Sequence, residues 1–371
     1  MIEFQHISMK IIIIILGAIG LSAFGITLGL FFKGIDRKIA AHMQGRIGPP
    51  IKQPFLDIRK LFTKENIVPE NAIPWVFNLV PIIGLVGAIS ILLFLPIGGF
   101  QPLLNSVITF NNETLSLYYG DIILILYLLM IPSLAMVIGG FSSGSPYATV
   151  GAQREMATMI AYEFPLAIII MSIAYRLSRP DILGEVSTNQ NIFALSTIAA
   201  TPIWNYVGIL GFIGFAILLF VLVIITPAEL SKIPFDSPEA ETEIAAGLLT
   251  EYSGRNLGMF YLTDAVKTVV MASIIVALFI PYNLSPILGL ENIPAYTVDI
   301  IFYLIKVLIV IIFSVTLIRV AIARLKIDQI VYTYWIPLTL IALIGLIFIM
   351  WDLQSLNEWG WQRVIELLGI A

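Results

Sequence analysis

The chain contains no cysteine. No disulfide, iron–sulfur cluster or thiolate metal site can therefore form from it. Histidine is nearly absent too: His6 and His42 stand on opposite sides of the first hydrophobic segment, a poor arrangement for a bis-imidazole haem. Charge is scarce. Only 12% of the 371 residues are Asp, Glu, Lys or Arg, whereas 59% are hydrophobic; soluble domains carry about 25% charged residues. A globule of this size cannot hide so much apolar surface in one core. The composition excludes an ordinary cytosolic enzyme, a disordered chain and a nucleic-acid binder, and it points to a polytopic membrane protein. If such a chain serves a redox machine, the electron carriers sit on its partners.

Crossing the hydrocarbon takes about 20 apolar residues. Eight runs qualify, near 10–32, 75–97, 121–141, 155–175, 204–226, 258–282, 298–320 and 332–352. No strand-period alternation competes, so a barrel is excluded and the predicted fold is all-α, one integral membrane domain over 1–371. The first run is too long for a signal peptide and lacks a small-residue cleavage site. The fourth contains Glu163 and Pro165 and has the weakest hydropathy signal. Basic residues set the expected orientation. The connection after the first span holds Lys33, Arg37, Lys38, Arg46, Lys52, Arg59, Lys60 and Lys64; Arg154, Lys232, Arg255, Arg319, Arg324 and Lys326 fall at the other odd-numbered connections. Residues 98–120 and 283–297 contain no Lys or Arg. The positive-inside rule puts the odd connections in the cytoplasm and both termini outside. Arg176 and Arg179 run against this pattern, and Ser355 to Leu368 reads as a short interfacial helix. No internal repeat supports an inverted-repeat transporter.

Acidic residues concentrate in the segment 227–257. Glu229, Asp236, Glu239, Glu241, Glu243 and Glu251 are six of the 24 acids, within 23 residues. Pro234 and Pro238 break the fifth span's helix, and Asp236 or Ser237 is expected to cap a new one with Pro238 in its first turn. On that helix Glu239 and Glu243 share a face, while Glu241 points elsewhere. Repulsion across one turn would raise a carboxyl pKa in a partly dry site, which suits a proton relay. A solvated loop that binds a basic partner fits the spacing equally well. The spans carry charge as well: Glu155 and Glu163 two turns apart, Asp264 and Lys267 at i and i+3, and Asp299 with Lys306. Such residues mark interhelical ion pairs, relays or water-filled paths.

The connection 33–75 has a different pattern. Gly45, Gly48, Pro49 and Pro50 impose a tight turn. After Pro54, Phe55, Ile58, Leu61 and Phe62 recur at helical spacing, with Asp57, Arg59, Lys60 and Lys64 on the other face. This is an amphipathic helix at the membrane surface. An anchor for anionic lipid would not need Asp57 or the fixed turn, so partner docking is the preferred reading.

Four motifs in order carry a family resemblance: Met43 to Pro50 (MQGRIGPP) with Gln53 to Asp57 (QPFLD); Ser142 to Tyr147 (SSGSPY); Gly151 to Arg154 (GAQR) followed by Tyr162-Glu163; and Pro234-Phe235-Asp236 with Pro238 to Glu241 (PEAE) and Glu251 to Gly254 (EYSG). Over roughly residues 36–264 the chain resembles the H-type membrane component of complex I, the NADH dehydrogenase subunit 1 family. It resembles still more closely the counterpart in archaeal-type energy-converting hydrogenases and membrane-bound sulfane reductases. The resemblance implies a connector between a cytoplasmic redox arm and ion-pumping membrane subunits. It implies that connections 33–75 and 227–257 dock a NiFe-hydrogenase-like large subunit and an Fe–S small subunit, and that antiporter-like subunits adjoin in the bilayer. The chain itself would hold no cofactor; Fe–S clusters and any NiFe centre would belong to partners. By match to the family's motifs Glu163, Glu229, Glu239, Glu241, Glu243 and Glu251 would form the proton relay, and the acids Glu155 and Asp264 inside the spans are expected to join it. Arg37, Arg46, Asp57, Lys60, Arg154 and Asp236 would line the docking face or redox cavity.

Three departures from complex I favour the hydrogenase-like branch: Asp36 where glutamate is usual, a Gly48-Pro49-Pro50 turn running almost directly into Gln53-Pro54, and Glu155 after Arg154 with no acid beyond Asp121 in the third span. The implied activity is ferredoxin-driven reduction of protons or a sulfur substrate, coupled to proton or sodium movement. The alternatives are a quinone-site component of complex I and a stand-alone secondary transporter.

Overall fold

Long apolar runs fold as helices because a backbone out of water must satisfy its hydrogen bonds within the segment. A computed structural model describes residues 2–95, 109–110, 113–114, 121–178, 193–200, 202–289 and 292–355. Eight of its helices are long and apolar enough to cross a membrane. They are α1 (Ile2–Met43), α3 (Pro74–Leu92), α4 (Ile122–Ser142), α5 (Pro146–Leu177), α6 (Ile209–Glu229), α7 (Gly254–Phe279), α8 and α9. Helix α8 (Asn292–Ile311) runs through a π-helical turn at Ile312–Thr316 into Leu317–Ala321. Helix α9 (Ile327–Thr333) runs through a second, Tyr334–Leu338, into Thr339–Ser355. Pro337 inside the second turn has no N–H to donate, which favours the wider turn there. The short α2 (Gln53–Thr63) is the expected amphipathic helix. A two-residue ribbon pairs Thr109–Phe110 with Glu113–Thr114.

Helix α7 is the axis of the bundle, with 94% of its most apolar window buried. Against it pack α1, α3 and α8. Gly29 lets α1 approach closely, since a Cβ there would stand 2.6 Å from the Ala265 carbonyl oxygen. That contact brings Lys33, one turn further along α1, beside Asp264.

The connections after α1, α4, α6 and α8 meet at one end of the bundle, where the bases concentrate. Ile73 N–H donates to Ser142 O (2.9 Å), Leu325 N–H to Pro234 O (3.0 Å), and Ile67 N–H to Ser253 Oγ (3.0 Å).

The structure shifts three local expectations. Helix α1 continues to Met43, so Lys33, Arg37 and Lys38 sit on its last turns rather than in a loop. Helix α5 begins at Pro146, which places Arg154 and Glu155 on a helix. The single helix expected to put Glu239 and Glu243 on one face does not form. Ser237–Glu239 is a 3-10 turn, Ala240 is extended (φ −62°, ψ 98°), and only Glu241–Ile244 is helical. Asp236 makes no side-chain cap there. The interfacial helix expected over 355–368, and Arg179, lie outside the described residues.

Candidate functional site

A cavity of about 510 Å³ lies at the basic end, between α1, α2, α7, the end of α8 and the segment after α6. Its lining is rich in charge because several elements contribute one face each. Helix α1 supplies Lys33, Asp36 and Arg37, spaced i, i+3 and i+4 on one side. Helix α2 supplies Asp57 and Lys60, and Lys64 follows at its C-terminal cap; α7 supplies Asp264 and Lys267; Glu229, Lys232, Glu239 and Arg319 complete the set.

The charges pair in tiers of falling exposure. The most open pair is Arg37–Asp57 at 3.0 Å, whose side chains are 36% and 38% exposed; Gln53 Nε2 also donates to Asp57 at 2.9 Å. Beyond it, Asp264 Oδ2 accepts from Lys33 Nζ at 2.5 Å and from Lys232 Nζ at 2.7 Å. Deepest are Lys267 and Glu229, 2.7 Å apart and only 7% and 3% exposed. Lys267 Nζ also donates to Ser133 Oγ of α4 at 2.6 Å. Beside this line, Asp36 accepts from Thr316 Oγ1 at 2.6 Å and from Arg319 Nη1 at 3.1 Å.

One carboxylate between two ammonium groups leaves the Asp264 cluster one positive charge in excess. Glu239, on the same cavity, is the acid placed to answer it. Burial pushes the Glu239 carboxyl up to about 7, although Lys232 and Lys33 pull it down; Asp264 and Asp236 add to the rise. Burial works against charge on Lys232, but Asp264 and Glu239 outweigh it and raise its pKa. A carboxyl that titrates near neutrality beside a surplus cation can take up or release a proton as a neighbouring charge changes.

The structure brings Glu229, Glu239, Asp264, Arg37, Asp57 and Lys60 onto this cavity. Glu155 is buried next to it on α5 and accepts from Ser231 Oγ at 3.2 Å. Glu163 lies two turns further along α5, within electrostatic reach of Glu229 and Lys267. Its buried Oε1 has no hydrogen-bond partner among the described residues. Glu241 and Glu243 are exposed and Glu251 is half-buried; none of the three lines the cavity. Arg154 binds Glu243 at 2.6 Å, and Arg324 binds Asp236. Arg46 is exposed and donates to Gln44.

Asp264 and Lys267, three residues apart on α7, take part in ion pairs between elements, as expected, and not with each other. Asp264 turns toward α1 and the segment after α6, whereas Lys267 reaches Glu229 and Ser133, so each finds an oppositely charged partner on another element. From sequence, Lys33 and Lys232 read only as markers of topology, and nothing in the local pattern assigns Asp36, Thr316 or Arg319 to a site. The spacing of Lys33, Asp36 and Arg37 carries the signal once α1 is extended to Met43. Among the described residues no group of three or more His, Asp or Glu side chains is arranged to hold a metal ion.

Eight membrane-length helices, with a cavity tiered with ion pairs at one end of the bundle, define a polytopic α-helical membrane protein. The family model described as NADH dehydrogenase matches residues 15–350, and the chain belongs to that family. It is 30% identical over 332 residues to the NADH-quinone oxidoreductase H chain of Syntrophotalea carbinolica, covering 87% of this chain and 90% of that one. It is 33% identical over 256 residues to a second-copy H chain of the same oxidoreductase in Rhizobium meliloti, covering 66% and 70% respectively. Among solved structures it is similar to a chain of the membrane-bound sulfane sulfur reductase, an archaeal respiratory membrane complex, with a TM-score of 0.73 and 27% identity over 90% of this chain and 99% of that chain. The resemblance drawn from four short motifs thus extends over nearly the whole length.

Proposed function

We propose that this chain is the membrane connector of a complex I-related oxidoreductase in the cytoplasmic membrane, with its basic end in the cytoplasm and both termini outside. The observation that carries the reading is the tiered line of ionisable groups from Arg37–Asp57 through Asp264 to Glu229–Lys267. Buried charges are expensive in a bilayer and persist where ions or protons must pass. A charge change in a docked redox partner would act first on the open pair and on Glu239. It would then alter the balance at Asp264, and so the proton affinity of Glu229 and Glu163 toward the neighbouring membrane subunits. Arg46, Arg154 and Asp236 would serve the docking face, with Glu241, Glu243 and Glu251 on its acidic rim. An Fe–S small subunit and a NiFe-hydrogenase-like large subunit would carry the electrons, since a chain without cysteine cannot ligate a cluster. Antiporter-like subunits would carry protons or sodium. Ferredoxin-driven reduction of protons or a sulfur substrate suits the departures at Asp36, Glu155 and the Gly48-Pro49-Pro50 turn, and the likeness to the sulfane reductase supports it.

The quinone-reducing reading has support in the names of the NADH-quinone oxidoreductase relatives. Affinity purification through this chain, followed by assays in vesicles, decides between them. The expected result is co-purified Fe–S subunits, ferredoxin-driven turnover insensitive to quinone-site inhibitors, and an ion gradient that Glu229→Gln removes without loss of assembly. Quinone-dependent, inhibitor-sensitive turnover would establish the second reading, and transport by the chain alone would sink both.

A further inference from the structure

The acidic segment after α6 is gripped by two arginines. Arg324, between α8 and α9, donates through Nε to Asp236 Oδ1 at 2.7 Å, through Nη2 to Oδ2, and through Nη1 to Thr242 Oγ1 at 3.0 Å. This is the two-pronged geometry that a planar guanidinium offers a carboxylate. From α5, Arg154 donates through Nη1 to the Ser237 carbonyl at 3.2 Å and to Glu243 Oε2 at 2.6 Å. Glu239 lies between the two grips, on the cavity. Immediately after them, Ala245, Ala246 and Gly247 have φ of 50°, 72° and 48°. Two alanines in the left-handed region are strained, and such backbone persists only where its flanks are fastened. Upstream the fasteners are the two arginines. Downstream, Leu248 is buried against Val137 and Ala152.

We propose that Arg154 and Arg324 are positioning residues that clasp this segment in a strained turn and so hold Glu239 toward the cavity; the geometry stands by itself, while its consequence for ion movement rests on the function proposed above. The acids of the segment then divide by role. Asp236 and Glu243 are tethers, and Glu239 is the group that the tethers aim.

The absence of cysteine supplies the test. Ser237 is buried and its hydroxyl has no hydrogen-bond partner among the described residues, so Ser237→Cys is a mild change and a unique thiol on this chain. In the intact complex, a water-soluble maleimide read out on this chain by mass spectrometry should label it slowly. Loss of a charge-assisted grip by Arg324→Ala or Arg154→Ala should speed labelling about tenfold or more, and Arg324→Lys by less. Labelling that stays flat overturns the clasp. Where Arg324→Ala blocks assembly, Arg324→Lys and Thr242→Ala take its place: a rise in either supports the clasp, and flat labelling in both overturns it.

The pH profile of coupled turnover separates the clasp from the ion path. Glu239 faces Lys33 of α1, Lys232 and Asp236 of its own segment, Tyr261 and Asp264 of α7, and Glu155 of α5. Released into water, its carboxyl falls from about 7 toward the ordinary range. The inflection should therefore move to lower pH in Arg324→Ala and stay near the parent value in Arg324→Lys. Faster labelling with an unmoved profile would leave the clasp standing and remove Glu239 from the ion path.

Discussion

Two groups of buried charges lie at opposite ends of the bundle, and they are satisfied differently. At the basic end, carboxylates meet ammonium and guanidinium groups: Asp264 with Lys33 and Lys232, Glu229 with Lys267, and Asp36 with Arg319. At the other end the partners are mostly backbone. Asp299 Oδ1 accepts from the N–H groups of Leu284 (3.1 Å) and Ser285 (2.9 Å), and its Oδ2 accepts from Ser285 Oγ (2.7 Å). Lys306 Nζ donates to the carbonyls of Ile280 (2.9 Å) and Tyr282 (2.8 Å), just beyond the last turn of α7. Asp352 Oδ2 accepts from Gly208 N–H at 2.8 Å, where α6 begins. A peptide dipole cannot gain or lose a proton, so these side chains are held mainly by groups of fixed charge at helix ends, although Asp299 and Lys306 lie within electrostatic reach of each other. Charges that answer other titratable groups can redistribute. Residue type alone does not separate the two groups; the chemistry of the partner does.

Substitutions should affect the two groups unequally. Lys267→Met should have the largest effect, because it leaves Glu229 buried without its cation. About 3–5 kcal/mol of stability is expected to go, read as the thermal unfolding of the complex, together with the ion gradient in vesicles. A gradient that survives would place this pair with the backbone-satisfied group. Asp299→Ala should come second. It strips the acceptor from two N–H groups and a hydroxyl, at a cost of about 2–4 kcal/mol, yet the number of ions moved per electron should not change. A changed ratio would mean that the outer group also takes part in coupling. Glu241→Gln should have the smallest effect. Its side chain is exposed and does not line the cavity at the basic end, so neither unfolding nor ion movement should shift measurably, and a lost gradient would restore it to the relay.

The sequence made part of this legible. Amphipathic α2 was readable because Phe55, Ile58, Leu61 and Phe62 recur on one face. The ends of α1 and α5 were not, since their last and first turns are polar and hydropathy registers only the apolar part of a helix. The split between Glu239 and Glu243 was hidden as well. Helical spacing put them together, and the extended Ala240 turned one toward the cavity and the other toward Arg154.

What the sequence determined by itself was the class of molecule: the eight spans, the lack of cysteine, and the end at which the bases gather. Those features are local. A run of about 20 apolar residues has no stable option in water or lipid except a helix across the bilayer. Which charge answers which was decided only by the tertiary structure. Lys33 and Asp264 are 231 residues apart and meet at 2.5 Å because Gly29 lets α1 press against α7. Burial, not spacing, then carries the Glu239 carboxyl to about 7, since the water it loses on packing is what would otherwise keep it charged.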